Sequence, residues 1–301
     1  MALKRGPHSF PSGNICQSHT LSITPETLEA LSQQCRNVIK QMPSPDLILF
    51  PEAYIDGYPQ GATFGAMFLS YSKDAVDLGN ASEGAGEKSV RKELEEQERS
   101  GKELKLLAQE TGIFIITGLV EQAGGTLCCT IIYVCPKLGV ISKRRKVMPG
   151  QGQPSSLRAE TTSIKGGKII LAAAICWENY MPLLRHSLYS QKTLMRTVTC
   201  EGRYFVLSAN QCVRKQKLPA WVYGEKSQSE EFVSRSDPFI VSPLGEVLEG
   251  PLWEDEDGML TVEVDFDDFL RGRLDLNVAG SYSRNDIFKL TVNGLDISPP
   301  I

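Results

Sequence analysis

Apolar positions along the chain fall into two patterns, a helical recurrence and short unbroken runs, and the switches between them mark the elements. Over 24–41, Leu28, Leu31, Val38 and Ile39 recur at helical spacing behind a Thr24 cap with Glu26 in the first turn, which predicts an amphipathic helix. Residues 46–50 (D-L-I-L-F) form a short buried strand closed by Pro51. Glu52 follows directly, at the carboxyl end where open α/β sheets place their ligands. Residues 89–110 predict a charged helix with Val90, Leu94, Leu104, Leu106, Leu107 and Ala108 as its apolar members and its Glu and Lys runs as a solvated face. A strand meander covers 113–145, with turns at 122–125 and 136–139.

The run 169–175 (I-I-L-A-A-A-I) has no polar alternation and predicts a strand buried on both faces that ends at Cys176. Leu183, Leu184, Ser187 and Leu188 then recur at helical spacing over 181–191, with Pro182 in the first turn. An alternating α/β pattern calls next for a buried strand, yet 192–203 continues in helix-like composition, so a strand is missing there. Further strands are predicted at 204–211 and 260–264, with a hairpin over 239–249 turning at Pro243-Leu244-Gly245. The tail after Asp267 reads as charged and extended, and the aperiodic start as an irregular arm over 1–23 preceding one domain over 24–301.

Composition narrows the class. A chain of 301 residues can bury one large core, and a net charge of -4 without a concentrated basic face gives no electrostatic reason to expect nucleic acid or a membrane surface. The start M-A-L-K-R-G-P-H has no apolar signal core, and Cys128 and Cys129 are adjacent in a strand-like run, so the eight cysteines read as reduced and the chain as cytoplasmic. No C-x-x-C or H-E-x-x-H occurs, and His8, His19 and His186 are scattered, so no metal is implied. The run 83–89 only faintly echoes a phosphate loop, because Glu87 rather than Gly precedes Lys88 and no strand leads into it. Asn80-Ala81-Ser82 matches a glycosylation acceptor that has no role in a cytosolic chain.

Candidate chemistry gathers at strand ends. A strand-to-helix turn at Cys176 exposes its thiol, and N–H groups at a helix start favour thiolate, although a lone cysteine in an apolar run is more often inert core. Lys143, Arg144, Arg145 and Lys146 end the third strand of the meander, where a positive group would share the sheet edge of Glu52 and Cys176; alone, the cluster reads as a solvated basic rim.

Glu52 after L-I-L-F-P, Lys146 in K-R-R-K-V-M-P and Cys176 in A-I-C-W-E-N together resemble the catalytic set of the nitrilase superfamily. The resemblance extends to Y-I-D-G-Y-P, which contains Tyr58, to E-G-R-Y-F-V-L-S-A-N-Q, V-S-P-L-G-E-V-L-E-G-P and R-L-D-L-N-V-A-G-S-Y-S-R. Cys176-Trp177-Glu178-Asn179 is similar to the nitrile-hydrolysing branch. The resemblance implies an α/β fold, a four-layer α-β-β-α sandwich with strand segments missing, homodimers or larger spirals, and no cofactor. It implies hydrolysis of a small organic nitrile to an acid and ammonia, with Cys176 as nucleophile, Glu52 as acid–base group and Lys146 stabilising negative charge. Trp177, Glu178, Asn179 and Tyr58 are supporting residues, Glu178 either orienting Lys146 or favouring a helix start. Amidase or cyanide hydratase chemistry, or an inactive assembly subunit, are the alternatives. Two features depart from the family: Met148-Pro149 runs directly into Gly150-Gln151-Gly152 where a Glu-Arg segment is usual, and the strand after the Cys176 helix is absent. Glu160 is the only acid in the first interval. Both departures predict a weakened catalyst.

Overall fold

A computed structural model of the chain describes residues 13–16, 24–42, 44–55, 99–123, 126–147, 157, 159–164, 167–190, 196–217, 231–278 and 286–293. Tyr58, the 83–89 run, the first ten residues of the charged helix and Met148-Pro149 lie outside them.

A six-stranded mixed sheet is the frame. Its strands are β1 (Gly13–Cys16), β2 (Leu47–Leu49), β3 (Phe114–Ala123), β4 (Thr126–Cys135), β5 (Gly139–Arg145) and, near the end of the chain, β13 (Met259–Val262), in the order β13-β1-β2-β3-β4-β5. β1 runs parallel to β2 and antiparallel to β13, so the segment expected to be an irregular arm over 1–23 supplies a strand to the domain. Four residues are too few for the pattern of G-N-I-C to announce itself.

Helices α1 (Thr24–Gln41) and α2 (Arg99–Thr111) cover one face. Leu28, Leu31 and Val38 of α1 and Leu104, Leu107 and Ala108 of α2 pack on Ile48, Ile115, Leu119, Ile132 and Val134. Leu106 instead points to solvent. The opposite face, with Leu47, Phe114, Ile116, Ile131, Tyr133 and Ile141, packs against Ile164, Ile169, Leu171 and Ile175.

The remaining strands among the described residues form three separate small sheets rather than one second sheet. These are the hairpin β6 (Glu160–Ile164) with β7 (Gly167–Leu171), a trio β12-β11-β8 (Val247–Glu249, Phe239–Val241, Val206–Ser208), and β9 (Cys212–Arg214) with β10 (Phe232–Arg235). Among the described residues the fold is mixed α/β, and these strands do not join into a single second sheet. Helices α3 (Pro182–Ser190) and α4 (Arg196–Gly202) follow one another with no strand between them among the described residues. The expected extended tail begins instead with helix α5 (Asp267–Asp275), whose Asp267 and Asp268 suit its first turn. Among the described residues no helix is long and apolar enough to cross a membrane.

Candidate active site

The first wall of the site is built where β2 ends. Pro51 stops the strand, and the chain turns through Glu52 and Ala53, the latter at a left-handed φ of 48°. The turn lies directly on β3 at Gly118, where an added Cβ would stand 2.5 Å from the Pro51 carbonyl oxygen and 2.7 Å from the Glu52 Cα. Only glycine permits that approach. Gly118 N–H donates to the Pro51 carbonyl at 3.2 Å, and the Gln211 side-chain amide donates to the Glu52 and Ala53 carbonyls at 2.9 and 3.1 Å. The carboxylate of Glu52 is thus presented from a backbone held on both sides.

The basic strand β5 is not a solvated rim: Lys143, Arg144 and Lys146 are buried. A register shift decides which way each charge faces. Tyr133 pairs with Ser142 but Val134 pairs with Val140, so Ile141 is the extra residue of a bulge and the alternation inverts after it. Beyond the bulge, Lys143 and Arg145 face the helix side, where both reach Glu121 (2.8 and 2.6 Å) and Thr130 donates to the same carboxylate at 2.8 Å. Burial works to raise the Glu121 pKa, but the Arg145 hydrogen bond and the Lys143 charge outweigh it and hold the carboxyl below its usual value.

Ser142, Arg144 and Lys146 face the other way, and each meets a carboxylate from a different element. Ser142 donates to Glu160 of β6 at 2.7 Å, Arg144 to Glu178 at 2.8 Å, and the Lys146 ammonium to Glu52 at 2.8 Å. Glu160, the acid of the interval that lacks the usual Glu-Arg segment, therefore stands four residues up the strand from Lys146 and away from the site. Burial works to lower the Lys146 pKa, yet the Glu52 hydrogen bond and charge, with a further contribution from Cys176, raise it above the ordinary lysine value. Lys146 is therefore an ammonium throughout the neutral range.

The second wall carries Cys176. β7 ends at Leu171, and 172–175 continues without a ladder partner among the described residues, Ala173 and Ile175 facing the large sheet while Ala172 and Ala174 face Leu184 and Leu188 of α3. The expectation of a strand over 169–175 buried on both faces is corrected: Ile169 to Ala174 are only partly buried, and among the described residues β7 pairs with β6 alone. Cys176 itself is exposed and adopts φ 52°, a left-handed conformation that costs a non-glycine residue on the order of 1 kcal/mol or more. It opens a five-residue 3-10 helix, Cys176–Tyr180, and the α-helix starts only at Pro182, so the thiol does not sit at the start of a long helix.

Glu178 joins the two walls. Fully buried, it accepts from the Val147 N–H at 2.5 Å, beside Lys146, from the Ile175 N–H at 2.7 Å, beside Cys176, and from Arg144. Its side chain therefore grips the backbone next to both residues. Asn179 donates to the Cys176 carbonyl at 2.8 Å, while Trp177 is exposed and lies against the Tyr180 ring.

Two residues that the sequence pattern does not single out belong here. Gln211 braces the Glu52 turn from the end of the 204–211 run, a role its position past a short strand does not announce. Cys129 of β4 lies across from the end of β5, its carbonyl accepting from the Lys146 N–H at 2.8 Å.

The family model for carbon-nitrogen hydrolases matches residues 15–271. An arylacetonitrilase of Trametes versicolor is 33% identical, covering 92% of this chain and 94% of its own, in an alignment of 322 positions that exceeds the 301 residues present here. That relative thus carries internal segments with no counterpart in this sequence. Nitrilase 3 of Arabidopsis thaliana is 34% identical, covering 95% of this chain and 88% of its own. Among solved structures, a carbon-nitrogen hydrolase from Helicobacter pylori superposes with a TM-score of 0.66 at 16% identity over 94% of this chain and 99% of that one. Saccharomyces cerevisiae Nit3, of the nitrilase superfamily, gives 0.62 at 15% identity over 92% and 98%, a likeness of fold. With its Glu52–Lys146 pair facing the Cys176 turn, the chain belongs to the carbon-nitrogen hydrolase family.

Proposed function

We propose that the chain is a nitrilase-type hydrolase that converts a small organic nitrile to a carboxylic acid and ammonia. The observation that carries this reading is the 2.8 Å Lys146–Glu52 pair with Cys176 within electrostatic reach of the ammonium. Nitrilase-named relatives at about one-third identity support the nitrile as substrate class.

Cys176 sulfur adds to the nitrile carbon while its proton passes through Glu52 to the nitrogen, giving a thioimidate. Glu52 next takes a proton from a water that adds to the same carbon and returns it to the nitrogen; the hydroxyl of that tetrahedral intermediate then gives up its proton, again through Glu52, to the nitrogen, and ammonia leaves as the C–N bond breaks and a thioester forms. A second water, deprotonated by the same carboxylate, cleaves the thioester and restores the thiol. Lys146 stays protonated and lowers the energy of the negative charge that develops at each addition. Glu178 keeps the Cys176 turn seated against the Lys146 strand by its hydrogen bonds to Ile175 and Val147.

Ammonia release from aliphatic and aryl nitriles, with the carbon product identified, tests the proposal. Acid is the expected product and Cys176→Ala is expected to abolish it. Hydrolysis by the alanine variant would overturn the assignment of the nucleophile, and amide as the sole product would replace nitrilase by hydratase chemistry.

A further inference from the structure

The Glu52 turn has a second support that leads away from the large sheet. The carbonyls of Glu52 and of left-handed Ala53 both accept from the Gln211 side-chain nitrogen, at 2.9 and 3.1 Å. Two acceptors facing the amide fix its orientation, because the amide oxygen turned toward them would be repelled by both. Gln211 lies between β8 and β9, and its own backbone is held from β10. Ser234 Oγ donates to the Gln211 carbonyl at 2.7 Å and Ser236 Oγ to the Asn210 carbonyl at 3.0 Å, while the Asn210 amide donates to the Asp237 carbonyl at 3.1 Å. A bulge brings these hydroxyls into place. Phe232 pairs with Arg214 but Ser234 pairs with Val213, so Val233 is the extra residue and the later side chains of β10 shift by one position. Ser236, just past the strand, is buried at a left-handed φ of 60°, which a non-glycine residue keeps only where its surroundings hold it. Hydrogen bonds thus run from Ser234 through Gln211 to the backbone of Glu52.

We infer that Gln211 and Ser234 are positioning residues of the active site, the β9–β10 hairpin setting through Gln211 where the Glu52 carboxylate stands against Lys146. This rests on the reading of Glu52 as the acid–base group. A carboxylate is held 2.8 Å from the Lys146 ammonium only as firmly as the backbone that carries it. Gly118 lets the turn approach the sheet, and the Gln211 amide holds its two carbonyls from the other side. Without that amide both carbonyls lose this donor, and the turn is free to relax away from the position that proton transfer requires.

The test compares the parent with Gln211→Met, which keeps the side-chain length and removes the donors, with Ser234→Ala and Ser234→Thr, and with the Gln211→Met, Ser234→Ala double variant. Thermal melting establishes that each is folded. Steady-state kinetics on a nitrile are read beside hydrogen exchange at the Gly118 and Ile55 N–H groups, which tie the Glu52 turn to β3. Gln211→Met is expected to lower kcat by about 10- to 10²-fold with KM within about twofold of the parent. Ser234→Ala is expected to lower kcat by about three- to tenfold, and Ser234→Thr, which keeps the hydroxyl, to restore it. The double variant is expected to match Gln211→Met alone, since Ser234 acts on Glu52 through Gln211. Exchange at Gly118 and Ile55 is expected to accelerate in both single losses. Parent-like kcat in a folded Gln211→Met protein would overturn the inference, whatever its exchange. Additive losses in the double variant would overturn the relay from Ser234. If the parent releases no ammonia, exchange decides alone: acceleration in Gln211→Met and Ser234→Ala keeps the hold on Glu52 and removes the hydrolase reading, and unchanged exchange overturns the hold itself.

Discussion

The two walls of the site are built to different standards. The Glu52–Lys146 wall belongs to a six-stranded sheet, its backbone locked by Gly118 and Gln211 and its charges paired on both faces of β5. The Cys176 wall hangs from a two-stranded hairpin, passes through partly exposed residues that have no ladder partner among the described residues, and ends in a left-handed turn flanked by exposed Trp177 and Tyr180. The Glu52–Lys146 pair is held by the fold as a whole, while Cys176 depends on local contacts, chiefly those of Glu178. On the proposed mechanism, in which a misplacement of about 1 Å can cost about 10² in rate, the weaker wall sets the efficiency.

Breaking the clasp has the largest expected effect on that contrast. Glu178→Ala leaves a buried Arg144 charge and two backbone N–H groups without their acceptor, and a loss of about 10²- to 10³-fold in kcat is expected. Hydrogen exchange is expected to accelerate over 172–180 but not in β3–β5. Unchanged exchange and rate in this variant would mean that the Cys176 turn is held by other contacts.

Disturbing the stronger wall gives the converse result. Gly118→Ala forces the Glu52 turn off β3, so a fall of about 10² in kcat is expected with no change in exchange over 172–180. A fully active alanine variant would show that the close approach to Pro51 and Glu52 does not set their position.

The smallest effect on activity is one of stability. Because the folded-state pKa of Glu121 lies below 4.5, its contribution is present above that pH and is lost as pH falls through the depressed folded value. Acid melting of the parent should therefore carry a contribution that Glu121→Gln removes, the variant being destabilised at neutral pH by about 3 kcal/mol. Identical acid-side slopes would show that the Glu121 cluster does not couple the sheet to pH. For Lys146 the sign is opposite: its contribution is complete below 10.5 and lost only as pH rises through the raised folded value, outside the neutral range.

The main helices and the meander were legible, and Glu52 and Cys176 stood out as candidates, because each carries a local signal: periodicity in α1, an apolar run ended by Pro51 before Glu52, and a polarity switch at Cys176. The facing of Lys146 was not. Strict alternation from Val140 would aim it at the helices, and the bulge at Ile141 that turns it into the site depends on pairing with Tyr133 and Val134 of another strand. Glu178 was legible as a carboxylate near Cys176, but its partners lie on and just after β5 and before Cys176, so its work as a clasp needed the tertiary structure. The Cys176 run looked fully buried because its composition suits a central strand, whereas the strand that would flank it is absent after α3 among the described residues.

The most direct measurement is the intact mass of the Glu52→Gln protein after incubation with a nitrile that the parent hydrolyses, followed by peptide mapping. With sulfur addition possible but proton transfer crippled, a covalent adduct carrying the nitrile's carbon skeleton is expected on Cys176, and none in the Glu52→Gln, Cys176→Ala double variant. An adduct on Cys129 or another cysteine, or full turnover by the Glu52→Gln protein, would contradict the assignment of these two residues.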